Sequence, residues 1–129
     1  MNKTILVTAT ILGIFGIALG AFAAHGLEKL INEDALTSFQ TGVRYQLYHA
    51  FLLLIIGSTN FLGSTAKKQV FYLIILGLIC FSGSIYGLST NALSSFDFKQ
   101  IALITPVGGL LFIIGWLRML IGIIKSSTD

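Results

Sequence analysis

The sequence predicts an all-α fold: an integral membrane four-helix bundle with an amphipathic connector helix between spans 1 and 2. Three observations carry this. Charged residues make up 10% of the 129 residues and hydrophobic ones 55%, whereas a typical soluble domain is about 25% charged. Marking the charges leaves four long uncharged runs: 24 residues between Lys3 and Glu28, 22 between Arg44 and Lys67, 28 between Lys68 and Asp97, and 18 between Lys99 and Arg118. Glycines, 14 in all, recur at spacings suited to helix seams. With a mean hydropathy of +0.91, the chain is excluded from the disordered, coiled-coil, collagen and disulfide-scaffold classes, and nearly so from soluble enzymes.

A spanning helix needs about 20 apolar residues. Lipid cannot satisfy open backbone groups, and four spans are too few to close a barrel, so each run reads as a helix. The spans fall at about 4–25, 45–65, 69–90 and 101–124, in one domain covering 1–129. The first run has a rival reading as a secretory signal, with Lys3 as its basic start and Ala21-Phe22-Ala23 resembling a cleavage site. Its apolar stretch is longer than usual for a signal, and Gly13, Gly16 and Gly20 suit a packed helix.

The first connector is the longest. Leu36, Phe39, Val43 and Leu47 follow helical spacing, and acids precede them where the helix dipole favours negative charge. A helix is expected from near Glu33 into span 2, bending at Gly42, with its outer half at the interface. Lys67-Lys68 reads as a tight turn that makes spans 2 and 3 an antiparallel hairpin. The third connector, about Asn91 to Gln100, is short and polar. Cys80, the single cysteine, excludes an intramolecular disulfide and reads as a small buried hydrophobe.

Lys3, Lys67, Lys68, Arg118 and Lys125 fall on one side and Lys29, Arg44 and Lys99 on the other. The excess places both termini in the cytoplasm, and Trp116 beside Arg118 fits an interfacial anchor there. The same distribution explains the net charge of +3 without a nucleic-acid partner.

Small residues let helices approach in lipid, where packing drives association. Gly16-xxx-Gly20 and Gly83-xxx-Gly87 are two such motifs. Gly108, Gly115 and Gly122 repeat every seven residues, as do Ala50, Gly57 and Ser64. They describe a tight bundle, with homodimer seams as the alternative.

Polar residues gather near one face. His25 ends span 1. Arg44, Tyr45, Gln46, Tyr48 and His49 open span 2. Ser82, Ser84 and Tyr86 lie late in span 3, and Thr105 and Pro106 early in span 4. Span parity puts all of them within about 10 Å of one membrane surface. Ionisable groups inside spans are a functional hypothesis by default. For this set the leading expectation is an inter-helix hydrogen-bonded network. The alternatives are a proton relay or polar ligand site, anionic lipid at Arg44, and metal or haem held by His25 and His49. A metal is disfavoured because structural zinc sites have four ligands and catalytic ones three. Pro106 is expected to kink span 4. No nucleophile, base and acid can be drawn together, and no nucleotide motif is present.

Four stretches carry a family resemblance: Leu19-Gly20-Ala21-Phe22-Ala23-Ala24-His25-Gly26-Leu27, Tyr45-Gln46-Leu47-Tyr48-His49-Ala50, Phe81-Ser82-Gly83-Ser84-Ile85-Tyr86, and Thr105-Pro106-Val107-Gly108-Gly109 with Gly115-Trp116. They resemble the domain of unknown function 423 family (UPF0382-type), small bacterial inner-membrane proteins that look related to the transmembrane protein 256 group. The resemblance covers nearly the whole chain. It implies four spans and a bacterial plasma-membrane location, but no activity. Where the family often has Gly-Ala-His this chain has Ala23-Ala24-His25. Signal cleavage would cut this motif away. The expectation is a non-enzymatic membrane subunit or assembly factor without cofactor, in contact with membrane lipids, and forming a homo-oligomer or binding a membrane protein. The alternative is a small transporter or binding protein for a lipid, a small polar molecule or protons, with its site at His25, Tyr45, His49 and Tyr86.

Overall fold

A computed structural model describes residues 1–126. Among them every regular element is helical: α1 (Asn2–His25), α2 (Glu33–Ser58), α3 (Ser64–Leu78), a π turn (Ile79–Gly83) that continues directly into α4 (Ser84–Ser89), and α5 (Ile104–Lys125), with short 3-10 turns between. Three helical stretches are long and apolar enough to cross a membrane: Asn2–Lys29, Ser64–Ser89 and Phe98–Lys125. The first half of α2 is too polar to join them, since it carries Glu33, Asp34, Thr37, Ser38, Gln40, Thr41 and Arg44.

α1 ends at Gly26, and a 3-10 turn over Leu27–Lys29 leads to Asn32. The Asn32 side chain caps α2 by accepting from the Ala35 N–H at 2.8 Å, with Glu33 and Asp34 in the first turn. This is the start expected from the acids. Beyond it the helix expected to run from near Glu33 into span 2 is present. α2 runs unbroken from Glu33 to Ser58 and lies antiparallel along the whole of α1. Gly16 faces Leu47, Gly20 faces Val43, and Gly57 faces Ile5 and Leu6. The segment expected at the interface is thus the first half of the helix that pairs with α1. Gly42 does not interrupt it; that glycine leaves room for the ring of Tyr86.

The α2–α3 reversal lies at Thr59–Gly63, not at Lys67-Lys68. The hydroxyls of Ser58 and Thr59 fold back onto the carbonyls of Leu54 and Ile55 and close α2. Lys67 sits in the first turn of α3 and is 4% exposed. Its ammonium donates to the Thr59 carbonyl at 2.6 Å and to Asn2 Oδ1 at 3.1 Å. A cation on the free carbonyls of a helix C-terminus is favourable. Lys67→Met is expected to lower stability by about 1–2 kcal/mol, because it strips a charged hydrogen bond from that end; thermal melting in detergent checks it.

α1 packs chiefly on α2, and α3 with the π turn chiefly on α5; contacts of α2 with α3, the π turn and α4 join the two pairs. The seven-residue glycine seam of α5 packs within the chain, on α3 and the turns flanking it: Gly108 meets Phe81 of the π turn, Gly115 meets Ile74, and Gly122 meets Leu62 and Ala66. The Gly83–Gly87 motif is not a seam between spans, since Gly83 meets no more than the Leu78 carbonyl of its own helix, at 3.9 Å, and Gly87 accommodates Phe98 of the following loop. Pro106 falls in the first turn of α5, where its missing N–H costs no helical bond, so the expected kink does not arise. Large apolar side chains point outward along every long helix, among them Ile14, Ile17, Phe51, Leu76 and Ile113. A water-soluble monomer rarely exposes so continuous an apolar surface.

Candidate functional site

The polar side chains singled out from the sequence are mostly spent on one another. Gln46 is buried and bridges two helices: Nε2 donates to the Leu12 carbonyl of α1 at 2.8 Å, and Oε1 accepts from the Tyr86 hydroxyl at 2.6 Å. Ser82, in the π turn, donates to the Gly42 carbonyl at 2.8 Å. Ser84 and Thr105 share a short hydroxyl–hydroxyl bond that ties α4 to α5. Ser84 also donates to the Cys80 carbonyl. It has one proton to give, so Thr105 is the donor between them.

His49 joins α2 to α5. Its Nδ1 lies 2.8 Å from the Tyr45 carbonyl, and the indole N–H of Trp116 donates to its Nε2 at 3.2 Å. A carbonyl and an N–H on opposite ring nitrogens select one neutral tautomer, protonated at Nδ1. Phe112 stacks on the imidazole at 4.0 Å and 10°, and Tyr45 lies against Phe81 at 4.8 Å. With both nitrogens engaged, this imidazole has no lone pair free for a metal.

The remaining residues stand apart. His25 is exposed at the end of α1. By the α1–α2 register His49 lies level with about residue 14, about 16 Å along the axis from His25. The expected similar depth of the two histidines, on which a shared ligand depended, is thereby corrected. Arg44 and Tyr48 are exposed on the outer face of α2, and Arg44 donates to Thr41 Oγ1 at 3.0 Å. Among the described residues no three metal-ligating side chains cluster. The polar layer also lies further from the helix ends than expected, because Leu12 and Trp116 sit near the middles of their helices.

Trp116 was read as an interfacial anchor; it is instead a partner of His49 and lines a groove of about 920 Å³ between α2 and α5. Tyr45, Phe81, Pro106 and Phe112 share that lining. The signal that could have found it is position: Trp116 is the thirteenth residue of a 22-residue helix, and a mid-span indole N–H needs a partner. Lys67 and Asn2 were missed for the opposite reason, because polar and charged side chains flanking an apolar run ordinarily reach solvent. Trp116→Phe should cost about 0.5–1 kcal/mol in thermal melting while keeping the fold, as one inter-helix bond in a membrane is worth little more. His25→Ala should change stability by less than about 0.5 kcal/mol.

The chain matches the family model "Protein of unknown function (DUF423)" over residues 19–109. It is similar to the UPF0382 membrane protein of Haemophilus influenzae, 34% identical with 99% of each chain covered. It is 34% identical to the UPF0382 membrane protein YwdK of Bacillus subtilis, covering 95% of this chain and 98% of the relative. Its identity to the UPF0382 inner membrane protein YgdD of Escherichia coli is 36%, covering 96% and 92%. No solved structure matches the chain.

Proposed function

We propose that this chain, which belongs to the DUF423 family of membrane proteins of unknown function, is a non-enzymatic subunit or assembly factor of the bacterial inner membrane. In this reading α1, α2, the α3–α4 helix and α5 are its four spans, and both termini face the cytoplasm. The observation that carries it is the use of the polar layer. Gln46, His49, Ser82, Ser84, Tyr86 and Thr105 are all committed to bonds between helices or within them, which leaves none of these six poised for chemistry. What remains available is surface, above all the apolar groove beside Trp116, suited to a neighbouring membrane protein or a second copy of the chain.

The groove also favours a second reading, a binding protein whose apolar ligand rests on Tyr45, His49 and Trp116. Native mass spectrometry of the gently extracted protein separates the two. A second protein in fixed ratio, lost when Ile113→Trp fills the groove, is the expected result. A discrete small-molecule mass that survives detergent exchange and disappears in Trp116→Phe would overturn the subunit reading. Trp116 is the single tryptophan, so its emission reports occupancy of the groove in either case.

A further inference from the structure

The end of the molecule opposite the polar layer carries Lys3, Lys67, Lys68, Arg118 and Lys125, while the acids among the described residues, Glu28, Glu33, Asp34 and Asp97, lie at the other end. Two adjoining clefts open there between α3 and α5. One, of about 510 Å³, is polar and is lined by Ser64, Thr65, Arg118 and Lys125. The other, of about 780 Å³, continues along the helices over Tyr72, Leu73 and Ile114, with Lys68 at its rim. Arg118 and Thr65 line both.

Arg118 is the unusual member. It lies seven residues before Lys125, about 10 Å deeper along α5, in a helix whose one other charge is that terminal lysine. An orientation bias accounts for lysines at helix ends; it does not require an arginine within the span. Gln69 accepts from its Nε. That bond fixes the plane of the guanidinium and does not use the terminal amino groups, the pair that grips a phosphate in bidentate fashion. Beside it the first turn of α3 follows Gly63, which supplies no side-chain cap, so early backbone N–H groups add to the positive potential.

We infer that these clefts bind one anionic phospholipid, its phosphate on Arg118 between Lys68 and Lys125 and an acyl chain along Tyr72, Leu73 and Ile114. The division into a basic polar compartment and an apolar channel sharing one arginine matches a lipid and not a free anion, which would leave the channel unused. This holds whatever role the α2–α5 groove plays.

The test is native mass spectrometry of the full chain in detergent, titrated with phosphatidylglycerol or phosphatidylcholine. One phosphatidylglycerol should be retained in preference to phosphatidylcholine. Arg118→Gln should weaken retention about fivefold, and separately the double variant Lys68→Gln/Lys125→Gln about thirtyfold, at about 1 kcal/mol for each surface cation. The double variant changes only exposed side chains and keeps the test alive if Arg118→Gln fails to fold. Lys99→Gln, at the other end, should change nothing. Equal retention of the two lipids, unchanged retention in the variants, or displacement by millimolar inorganic phosphate would each overturn the assignment, the last in favour of a free-anion site.

Discussion

Gly108→Ala is expected to destabilise the protein by about 3 kcal/mol or more, the largest effect of any single methyl group in the chain. A Cβ at Gly108 would stand 2.3 Å from the backbone nitrogen of Phe81 and 2.7 Å from the carbonyl carbon of Cys80. A clash with a flexible side-chain end can relax by a rotamer change, but these are main-chain atoms inside the π turn. That turn is held on its far side by Ser82 on Gly42 and continues into α4, where Ser84 meets Thr105. Moving Phe81 away would break the bonds that join three helices. The neighbouring Gly109 is the internal control, since its nearest atoms, in the Phe81 ring, lie 3.9 Å and more away. Gly109→Ala should be neutral, or stabilising by less than about 1 kcal/mol through reduced backbone freedom. Thermal melting of both variants in detergent decides the matter, and similar melting points would remove the close approach of α5 to the π turn from the account.

Gln46→Leu should cost about 2 kcal/mol. The substitution keeps the volume and deletes both polar links. The Leu12 carbonyl is within helix α1 and keeps its own helical bond, so its loss is small. The hydroxyl of the half-buried Tyr86 loses its acceptor, and a donor left unpaired away from water costs about 1–3 kcal/mol. Tyr86→Phe alone should cost about 1 kcal/mol, near the upper range for inter-helix bonds in membranes. The double variant should be less destabilised than the sum, because removing the hydroxyl also removes the orphan. A coupling of about 1 kcal/mol is expected from the cycle; strict additivity would mean that Gln46 and Tyr86 do not depend on each other.

Parts of this were legible from residue order because they depend on local chemistry. The Asn32–Glu33–Asp34 start of α2 is a helix-cap signature. The seven-residue glycine repeat of α5 packs on α3 and the turns flanking it because such a repeat keeps one side of a helix toward one neighbour. The inter-helix network was expected as a set, and Gln46, Ser82, Ser84, Tyr86 and Thr105 supply its bonds. His25 was drawn in only by span parity, which assumed that the second helix begins its passage at Tyr45. The packing of Phe39 and Val43 against Ala23 and Leu27 shows that α2 is already alongside α1 before that point, and the pairing of Gly16 with Leu47 moves His49 inward and leaves His25 at the edge.

Sequence alone determined that this chain is helical and apolar, where its first helices start, and which residue types would need partners, since composition, caps and periodicity are properties of one segment at a time. Tertiary structure decided the partners. It placed the α2–α3 turn at Thr59–Gly63, buried Lys67 on the carbonyl of Thr59, and gave the imidazole of His49 to Trp116. The reason is physical: a count of charges and hydropathy is one-dimensional, whereas a hydrogen bond between helices depends on register and facing. Both were fixed by where small residues let two backbones come close.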